Sequence, residues 1–285
     1  MLLNYYEYLK DDFSFVVVIH GTPEAGCLKR FQNCGIKVYQ ISHWTNGLFL
    51  HHRELKKIIL EEEPDIFQTH HNLNNFIPCF TAKLAKIRIR ISHCHNYLPK
   101  KNLKQKFYSF LSRIFATDLS ACGLGAATFL TNSKMVSQNK VQIIYNAVDV
   151  STFQFQPKIR NQIRKKYHWD HCIVYGNVGR FAKQKNQIFL IDLFEKISQI
   201  QKEARFLMIG GSDTEYTIIK KAIETSSIPD KIVLLKDISN VCDFYQAMDC
   251  FLLPSFFEGF AVTLIEAQMS HLPCIISDTI TKEFE

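Results

Sequence analysis

Short apolar runs alternate with helical patterns along the whole chain. Runs rich in Val, Ile and Leu predict strands at Phe13–Ile19, Lys37–Ile41, Ile66–Thr69, Arg88–Ser92, Thr128–Thr131, Val141–Tyr145, Cys172–Asn177, Arg205–Ile209, Ile232–Leu235, Cys250–Leu253 and Cys274–Ser277. Apolar residues at helical spacing predict helices at Leu48–Glu62, Asn102–Phe115, Gln187–Gln201, Glu215–Thr225 and Val241–Met248. This alternation is typical of parallel sheets covered by helices on both faces, so the predicted fold class is α/β.

The length and the pattern indicate two domains. A chain of 285 residues can hold two domains of ordinary size. The stretch Phe155–Pro157 is non-periodic, and a new strand-helix series begins near Cys172. We place the boundary shortly after Asp149, so that residues 1–152 and residues 153–285 each form a Rossmann-like domain. Two such domains facing a cleft would hold ligands at the carboxyl ends of their strands.

The composition is that of an ordinary soluble globular protein, with 47% hydrophobic and 21% charged residues. No apolar run approaches the roughly 18–20 residues that span a bilayer. The N-terminus lacks a basic region followed by an apolar one, so we expect no secretory signal. The nine cysteines are scattered and include no Cys-x-x-Cys pair. They indicate reduced, buried thiols in a cytoplasmic protein.

The excess of positive charge is confined to the first half of the chain. Residues 1–150 carry 18 Lys and Arg against 11 Asp and Glu, whereas residues 151–285 carry 16 of each kind. No acid occurs from Ile66 to Thr117, where nine bases lie. Such an asymmetry indicates an anionic partner.

The segment Lys100–Phe115 combines five bases with apolar residues at helical spacing. We interpret the apolar residues as a stripe that faces the core. The bases then form either a solvated face or a surface for anionic lipid, to which each base would add about 1 kcal/mol. Nucleic acid is disfavoured because the sequence has no pattern typical of a nucleic-acid-binding fold.

Two acids lie close together near the end of the chain. Glu258 and Gly259 open a strand-to-helix loop, and Glu266 follows eight residues after Glu258 on the helix. Carboxylates suit sugar and ribose hydroxyls because each oxygen accepts hydrogen bonds. The loop also offers free backbone N–H groups to a phosphate. The alternative is that Glu258 complements the helix dipole and that Glu266 is a solvated residue of the helix.

Two bases follow the strand that ends near Asn177. Arg180 and Lys185 are five residues apart, and Gly179 lets the backbone turn closely. An arginine fork and a lysine ammonium can clamp a diphosphate, each contact contributing roughly 1.5–3 kcal/mol. The alternative is a pair of solvated loop bases.

Histidines end two strands of the first half. His70 and His71 follow one strand, and His93 and His95 end the next, where alternate residues project to the same face. These side chains either hydrogen-bond the loop ends or contact a ligand. A metal site is a further alternative, which we disfavour because no acid lies nearby.

Three motifs, in order, resemble the GT-B retaining glycosyltransferases. The segment from Glu258-Gly259-Phe260 through LIEAQ to LPCIISD is similar to their donor-site signature. NVGRFAKQKN (Asn177–Asn186) is similar to their donor-phosphate motif, and IIYNAVDVSTF (Ile143–Phe153) to their interdomain segment. The nearest branch is glycosyltransferase family 4, or group 1, which builds capsular and exopolysaccharides. The resemblance covers nearly the whole chain.

The resemblance implies donor-binding roles for residues of the second domain. These residues are Arg180, Lys185, Gly259, Phe260, Ala261 and Glu266. The two bases would bind the diphosphate, and Glu266 would bind the ribose hydroxyls. The backbone of the loop before the helix would hold phosphate or sugar oxygens.

The resemblance also implies catalytic and acceptor-side roles. Glu258 would lie beside the sugar and position the transition state, and His70 would lie near the transferred sugar. His93, His95 and Asn146 are candidates for the acceptor side. The resemblance implies no metal and no other cofactor.

Relatives of this family also have further chain at both ends. They begin with a strand and a Gly-rich loop and continue past the segment that ends here at Glu285. We therefore expect both domains to be incomplete, with apolar faces at Phe13–Ile19 and Cys274–Ser277 partly exposed. His271 stands where the family usually has Gly, at a left-handed position after a helix.

The predicted function is retaining transfer of a sugar from a nucleotide sugar, expected to be a UDP-sugar, to a lipid-linked or oligosaccharide acceptor. The pathway class is synthesis of a capsule, an exopolysaccharide or a related glycan. The alternatives are an inactive remnant that binds nucleotide sugar or a partner chain, and a nucleotide-sugar epimerase of the same fold. The expected location is the cytoplasm, peripheral at the inner face of the membrane.

Overall fold

The computed structural model describes residues 2–21, 25–98, 100–211, 215–280 and 283. The chain forms two compact units, Met1–Asn146 and Ala147–Glu285. Each unit is an α/β structure with parallel strands, as the alternating pattern predicts.

The described part of the first unit alternates strands and helices. Its strands are β1 (Val16–His20), β2 (Lys37–Ile41), β3 (Ile66–Thr69), β4 (Ile89–Cys94), β5 (Asp118–Ala121) and β6 (Gln142–Ile143). Its helices are α1 (Leu2–Leu9), α2 (Ala25–Asn33), α3 (Leu48–Glu62), α4 (Phe76–Leu84), α5 (Leu103–Phe115), α6 (Leu124–Leu130) and α7 (Ser133–Ser137). Single 3₁₀ turns lie at Trp44–Asn46 and Asn72–Asn75. β1 pairs with β2, and β3, β4, β5 and β6 form a second parallel sheet in that order.

The second unit contains one parallel sheet of five described strands, in the order β11-β10-β7-β8-β9. They are β7 (Ile173–Val178), β8 (Ala204–Gly210), β9 (Ile232–Lys236), β10 (Cys250–Leu253) and β11 (Cys274–Ile276). The described helices are α8 (Val150–Phe153), α9 (Pro157–Lys166), α10 (Gln187–Ile200), α11 (Tyr216–Thr225), α12 (Val241–Ala247) and α13 (Val262–Met269), with 3₁₀ turns at Lys183–Lys185 and Pro229–Lys231.

Strand β8 lies between β7 and β9, and its sequence shows why strands of this sheet are continuous apolar runs. Phe206 and Met208 pack into the core on one face, and Leu207 and Ile209 pack into the core on the other. All four side chains are buried because helices cover both faces.

The longer helices match the sequence-based expectations, but one predicted strand is wrong. The predicted strand Thr128–Thr131 lies mostly within helix α6 (Leu124–Leu130). This helix buries Ala126, Ala127, Phe129 and Leu130. Because a short apolar run has no decisive periodicity, its length alone could not separate strand from helix. Strand β5 was missed because it opens on Asp118 and contains only one large apolar residue, Leu119.

The two compact units divide earlier than the predicted boundary. The structure assigns residues 147–152 to the second unit. Helix α8 (Val150–Phe153) packs there, with the Phe153 ring edge-on to Tyr245 at 5.8 Å. The Gln246 amide also donates to the Phe153 carbonyl at 3.4 Å. The predicted roles and incomplete ends of the two domains stay predictions.

The predicted core-facing stripe of helix α5 is wrong. Four of its apolar side chains point to solvent, with exposed fractions of 83% for Leu103, 56% for Phe107, 48% for Phe110 and 43% for Ile114. Two serines face inward instead. The Ser109 hydroxyl donates to the Leu130 carbonyl at 2.6 Å, and the Ser112 hydroxyl donates to the Leu73 carbonyl at 3.2 Å. These bonds satisfy carbonyls of neighbouring elements, which makes the serine face the buried one.

Candidate functional site

The strand order of the second unit brings two loops together. β7 and β10 are parallel neighbours, so the loops that follow them leave the same edge of the sheet. The backbone N–H of Phe256 donates to the Gln184 carbonyl at 2.9 Å, and the Gln184 amide donates to the Phe257 carbonyl at 2.7 Å. These two hydrogen bonds therefore hold the Arg180–Lys185 segment against the Glu258 loop.

A buried ion pair lies where these loops meet. The Nζ atom of Lys185 is 2.7 Å from Oε1 of Glu258, and both side chains are nearly enclosed. The lysine ends the 3₁₀ turn Lys183–Lys185, after which Asn186 adopts a left-handed conformation with φ of 54° and leads into α10. The sequence places these two charges 73 residues apart. The fold joins them, so neither is buried without a counter-charge.

Arg180 lies on the same loop but is exposed. Its carbonyl accepts a hydrogen bond from the buried Gln187 amide at 2.8 Å. The loop passes close to the end of β8, where a Cβ atom on Gly210 would stand 2.3 Å from the Gly179 carbonyl. The backbone of Arg180 is therefore held in place, while its guanidinium extends into solvent.

The loop before α13 has no polar side chain at its helix cap. Gly259 and Ala261 are buried, and Phe260 is partly buried. Ala261 precedes the helix in an extended conformation and accepts the N–H of Leu264 at 3.1 Å. Because alanine cannot cap the first-turn N–H groups, these donors suit an anionic ligand.

Glu266 is half-buried rather than solvated. The Tyr245 hydroxyl donates to its Oε2 atom at 2.8 Å. Burial raises the pKa of Glu266, although the hydrogen bond from Tyr245 acts in the opposite direction. Burial and then the charge of Glu266 raise the pKa of Tyr245 well above its ordinary value. Tyr245 was missed because a single tyrosine within a helical pattern carries no signal of its own.

In the first unit, β3 and β4 bring three histidines together. The parallel register pairs Thr69 with Ser92, so His70 and His93 leave the same edge. Nδ1 of His70 is 2.7 Å from Nε2 of His95, and the rings of His93 and His95 stack with centroids 4.3 Å apart. We call His70, His93 and His95 the histidine cluster.

Two asparagines that the sequence-based interpretation missed hold the cluster in place. Asn75 is fully buried, and its amide donates to the Ser92 hydroxyl and the His93 carbonyl, each at 2.9 Å. The side-chain oxygen of Asn72 accepts the backbone N–H of His95 at 2.8 Å. Both asparagines lie in NLNN, a polar stretch whose sequence indicates only a loop.

The histidine cluster is neutral at pH 7. Burial lowers the pKa of His70 and His95 to about 4 and that of His93 to about 3. Asn146, the remaining acceptor-side candidate, is buried at the end of the first unit, after β6.

A second group of rings, also missed, lies beside the cluster. The imidazole centroids of His20 and His71 are 4.3 Å apart, and those of His20 and His51 are 4.9 Å apart in a stacked arrangement. The Trp44 ring lies 4.9 Å from His71. Burial, followed by the neighbouring imidazoles, lowers the pKa of His20 to about 3 and that of His71 to about 4.

No helix within the described ranges is long and apolar enough to cross a membrane.

Comparisons with known proteins agree with the motifs. Residues 159–282 match the family model described as glycosyl transferases group 1. The chain is 28% identical to the glycosyltransferase EpsF of Bacillus subtilis over 243 residues, which are 82% of this chain and 62% of EpsF. Over 236 residues it is 24% identical to a UDP-Gal:α-D-GlcNAc-diphosphoundecaprenol α-1,3-galactosyltransferase of Escherichia coli, covering 79% and 60% of the two chains. Other relatives are capsular polysaccharide glycosyltransferases of Staphylococcus aureus.

Among solved structures, HepE of Anabaena in complex with UDP-glucose has a similar fold. The TM-score is 0.80 at 15% identity, covering 97% of this chain and 76% of HepE. The GT-B type of α/β fold is therefore confirmed. The chain spans about three fifths of the length of EpsF and of the Escherichia coli galactosyltransferase. The predicted resemblance to the group 1 glycosyltransferases of capsule and exopolysaccharide type is confirmed, and residues 159–282 are the part of the chain that the family model matches.

Proposed function

We propose that the chain transfers a sugar from a UDP-sugar to a lipid-linked or oligosaccharide acceptor, with retention, in the synthesis of a capsule, an exopolysaccharide or a related glycan. The observation that carries this proposal is the buried Lys185–Glu258 pair, which lies with Arg180 and the uncapped N-terminus of α13 at one edge of the second sheet. UDP as the leaving group is supported by the relatives named for UDP-galactose and solved with UDP-glucose.

The second unit offers groups suited to each part of such a donor. The ammonium of Lys185 and the guanidinium of Arg180 would stabilise the charge that grows on the diphosphate as the glycosidic bond breaks. Glu258 holds Lys185 in place at 2.7 Å and would accept from a sugar hydroxyl with its second oxygen. Glu266, oriented by Tyr245, would accept hydrogen bonds from the ribose hydroxyls.

The first unit would supply the acceptor side. The neutral imidazole of His70 can exchange a hydrogen bond with a hydroxyl of the transferred sugar, and His93, His95 and Asn146 would line the acceptor side. In front-face transfer, the acceptor oxygen attacks the anomeric carbon on the side from which UDP leaves. Its proton then passes to the departing phosphate oxygen. We assign no covalent sugar intermediate and no metal to this step.

An anionic membrane surface is the proposed source of the acceptor. Leu103, Phe107, Phe110 and Ile114 form one exposed stripe on α5, and Lys100, Lys104 and Lys106 lie exposed around it. Lys101 does not belong to this surface. Its ammonium donates to the carbonyls of Phe129 and Thr131 at 2.9 and 2.6 Å and so caps α6.

Calorimetric titration with UDP tests the donor site. Arg180→Ala should weaken UDP binding about tenfold or more, through the loss of one charge-assisted contact. Arg180 is the sharper variant because its side chain is exposed, whereas Lys185→Ala would leave Glu258 buried without its partner. Lys196→Ala, an exposed lysine of α10, is the matched control. Equal UDP affinity in wild type and Arg180→Ala would remove Arg180 from the donor site.

Product analysis tests the reaction. The chain should consume a UDP-sugar only when an acceptor is present and should release UDP with a new glycosidic bond of unchanged anomeric configuration. Conversion of the free UDP-sugar without an acceptor would identify an epimerase instead. UDP binding without turnover of any nucleotide sugar and acceptor would indicate a binding protein.

A further inference from the structure

Four buried side-chain oxygens of the second unit make no hydrogen bond within the described part of the chain. They belong to Asn177, Gln187, Ser255 and Thr263. These residues lie where β7 and β10 end or where the following helices α10 and α13 begin. Because buried polar groups in folded proteins are rarely left without a partner, their concentration at one edge of the sheet indicates a ligand that supplies the missing hydrogen bonds.

Two of these four oxygens can donate a hydrogen bond. Those of Asn177 and Gln187 are amide oxygens, which only accept, and the amide nitrogens already donate to backbone carbonyls. The hydroxyls of Ser255 and Thr263 can donate to an anion. Ser255 is completely buried, whereas Thr263 is partly exposed. A threonine in a helix adopts either of two χ1 rotamers, so the Thr263 hydroxyl can turn toward a ligand.

Thr263 lies one turn before Glu266 on the same face of α13. The hydroxyl of Tyr245 is 2.8 Å from Oε2 of Glu266 and 3.2 Å from the carbonyl oxygen of Thr263, so one buried tyrosine contacts both residues. Three residues advance a helix by about 4.5 Å. This advance is comparable with the separation, across a ribose, between its hydroxyls and the phosphate on its 5′ carbon.

We propose that the Thr263 hydroxyl donates a hydrogen bond to the α-phosphate of the UDP-sugar, the phosphate attached to the ribose. This inference rests on the proposed function, in which Glu266 binds the ribose hydroxyls. Thr263 is then displaced from Glu266 toward the N-terminus of α13, where free N–H groups and the helix dipole also favour an anion. Because the acceptor is charged, this hydrogen bond is stronger than one between neutral groups.

The proposed contact makes opposite demands on stability and on binding. In the free chain the Thr263 hydroxyl is buried without a partner, which disfavours the folded state. The hydroxyl gains its partner only when the donor binds. Removing the hydroxyl should therefore weaken donor binding without destabilising the fold.

Calorimetric titration of the full chain with UDP, UMP and uridine tests the proposal. Thr263→Val keeps the shape of the side chain without the hydroxyl, so it should weaken the binding of UDP and of UMP by the same factor, about tenfold. Its affinity for uridine, which has no phosphate, should equal that of wild type. Thr263→Ser keeps the hydroxyl and should bind UDP like wild type. Thr225→Val is the control, because that hydroxyl contacts carbonyls of its own helix, α11.

Thermal unfolding without ligand gives a second readout. Thr263→Val should unfold at the same temperature as wild type or a few degrees higher, because an unpaired buried hydroxyl is removed. A lower unfolding temperature would mean that the hydroxyl is already satisfied in the free chain and would overturn the proposal. If Thr263→Val does not fold, Thr263→Ala takes its place in the titrations, with the same expected loss of affinity.

The three ligands separate the ways in which the proposal can fail. Equal UDP affinity in wild type and the folded variant overturns it. A loss that includes uridine overturns it, since the hydroxyl would then contact the ribose or the base. A loss confined to UDP also overturns it, since the contact would then be to the second phosphate. Failure of wild type to bind UDP at all would refute the proposed donor site, and this contact with it.

Discussion

At the scale of single residues, the second unit contains a residue in an unfavourable backbone conformation and a carboxylate in an unfavourable, half-buried environment. His271 has φ of 59° just after α13, in the left-handed region that favours glycine. Glu266 keeps a carboxylate in a half-buried position. His271 affects only the stability of the fold, whereas Glu266 belongs to the proposed donor site. Substitutions at the two positions should therefore separate effects on stability from effects on binding.

His271→Gly should stabilise the protein. Glycine adopts the left-handed conformation without the steric cost borne by histidine, although it also loses more chain entropy on folding. We expect the free energy of unfolding to rise by about 0.5–1 kcal/mol in urea denaturation. Lys221→Gly, at an exposed position inside α11, should instead lower it by about 1 kcal/mol. A decrease for His271→Gly would mean that the imidazole makes a stabilising contact.

Glu266→Gln should separate stability from donor binding. Glutamine keeps an oxygen for the Tyr245 hydroxyl and removes a charge that burial disfavours, so the unfolding free energy should stay equal or rise by up to about 1 kcal/mol. UDP affinity should fall about tenfold because the charged acceptor is lost. Calorimetry with uridine and with UDP measures this effect. Unchanged affinity for both ligands would exclude Glu266 as the ribose contact.

At the scale of the element, α5 is turned the opposite way from its apolar pattern. Its capping box is formed by Asn102 and Gln105, so its start is well determined by local sequence. Its orientation is set by Ser109 and Ser112, which bond to carbonyls that only the folded unit brings near. The result is an exposed apolar stripe flanked by bases.

Neutralising the bases around this stripe should weaken binding to anionic vesicles. With Lys100, Lys104 and Lys106 changed to Gln, about 1 kcal/mol per base predicts a loss on the order of 100-fold. Binding of wild type should also fall as salt is raised. The matched control changes three exposed lysines of the second unit, Lys196, Lys220 and Lys221. Equal sedimentation of wild type with neutral and anionic vesicles at low salt would rule out this surface.

At the scale of the whole molecule, the ionisable groups are distributed unevenly between the units. Histidines that burial keeps neutral, most of them partly buried, lie at the strand ends of the first unit, whereas the second unit holds the enclosed Lys185–Glu258 pair. Lowering the pH should therefore destabilise the first unit before the second.

Stability should fall as the pH is lowered from 7 toward 4. The folded-state pKa values of His20, His70, His71, His93 and His95 are about 3–4, below the unfolded value near 6.5. The unfolded chain therefore binds more protons in this window, and each histidine removes up to about 1.4 kcal/mol per pH unit.

Urea denaturation in a chelating buffer at pH 7, 6 and 5 measures this dependence. Glu266, with its raised pKa, acts in the opposite sense, and the Glu266→Gln background removes that contribution. His93→Gln should reduce the pH dependence of the unfolding free energy by the contribution of about one proton. A midpoint that is constant or rises toward pH 5 would contradict the burial of neutral histidines.

Much of the second unit could be predicted from the sequence. Helices such as Gln187–Ile200 carry their apolar spacing locally, and the order of the three motifs indicated the resemblance to the group 1 glycosyltransferases. The first unit was harder. The short run in α6 has no distinctive period, and strand β5 has a polar start, so only packing against neighbours decides their conformation.

The sequence by itself determined the α/β class, the two-unit organisation and the resemblance to the group 1 glycosyltransferases, because each rests on local periodicity or on motifs of consecutive residues. Only the tertiary structure decided that Lys185 pairs with Glu258, that Tyr245 holds Glu266, and that His70 meets His93 and His95. The Lys185–Glu258 pair and the histidine contacts join residues from the ends of different strands, so they exist only once parallel pairing has brought those ends to one edge of a sheet. Tyr245 and Glu266 lie on α12 and α13, so their contact exists only once the two helices have packed together. The outward stripe of α5 has a related cause, since the partners of its buried serines are distant in the chain.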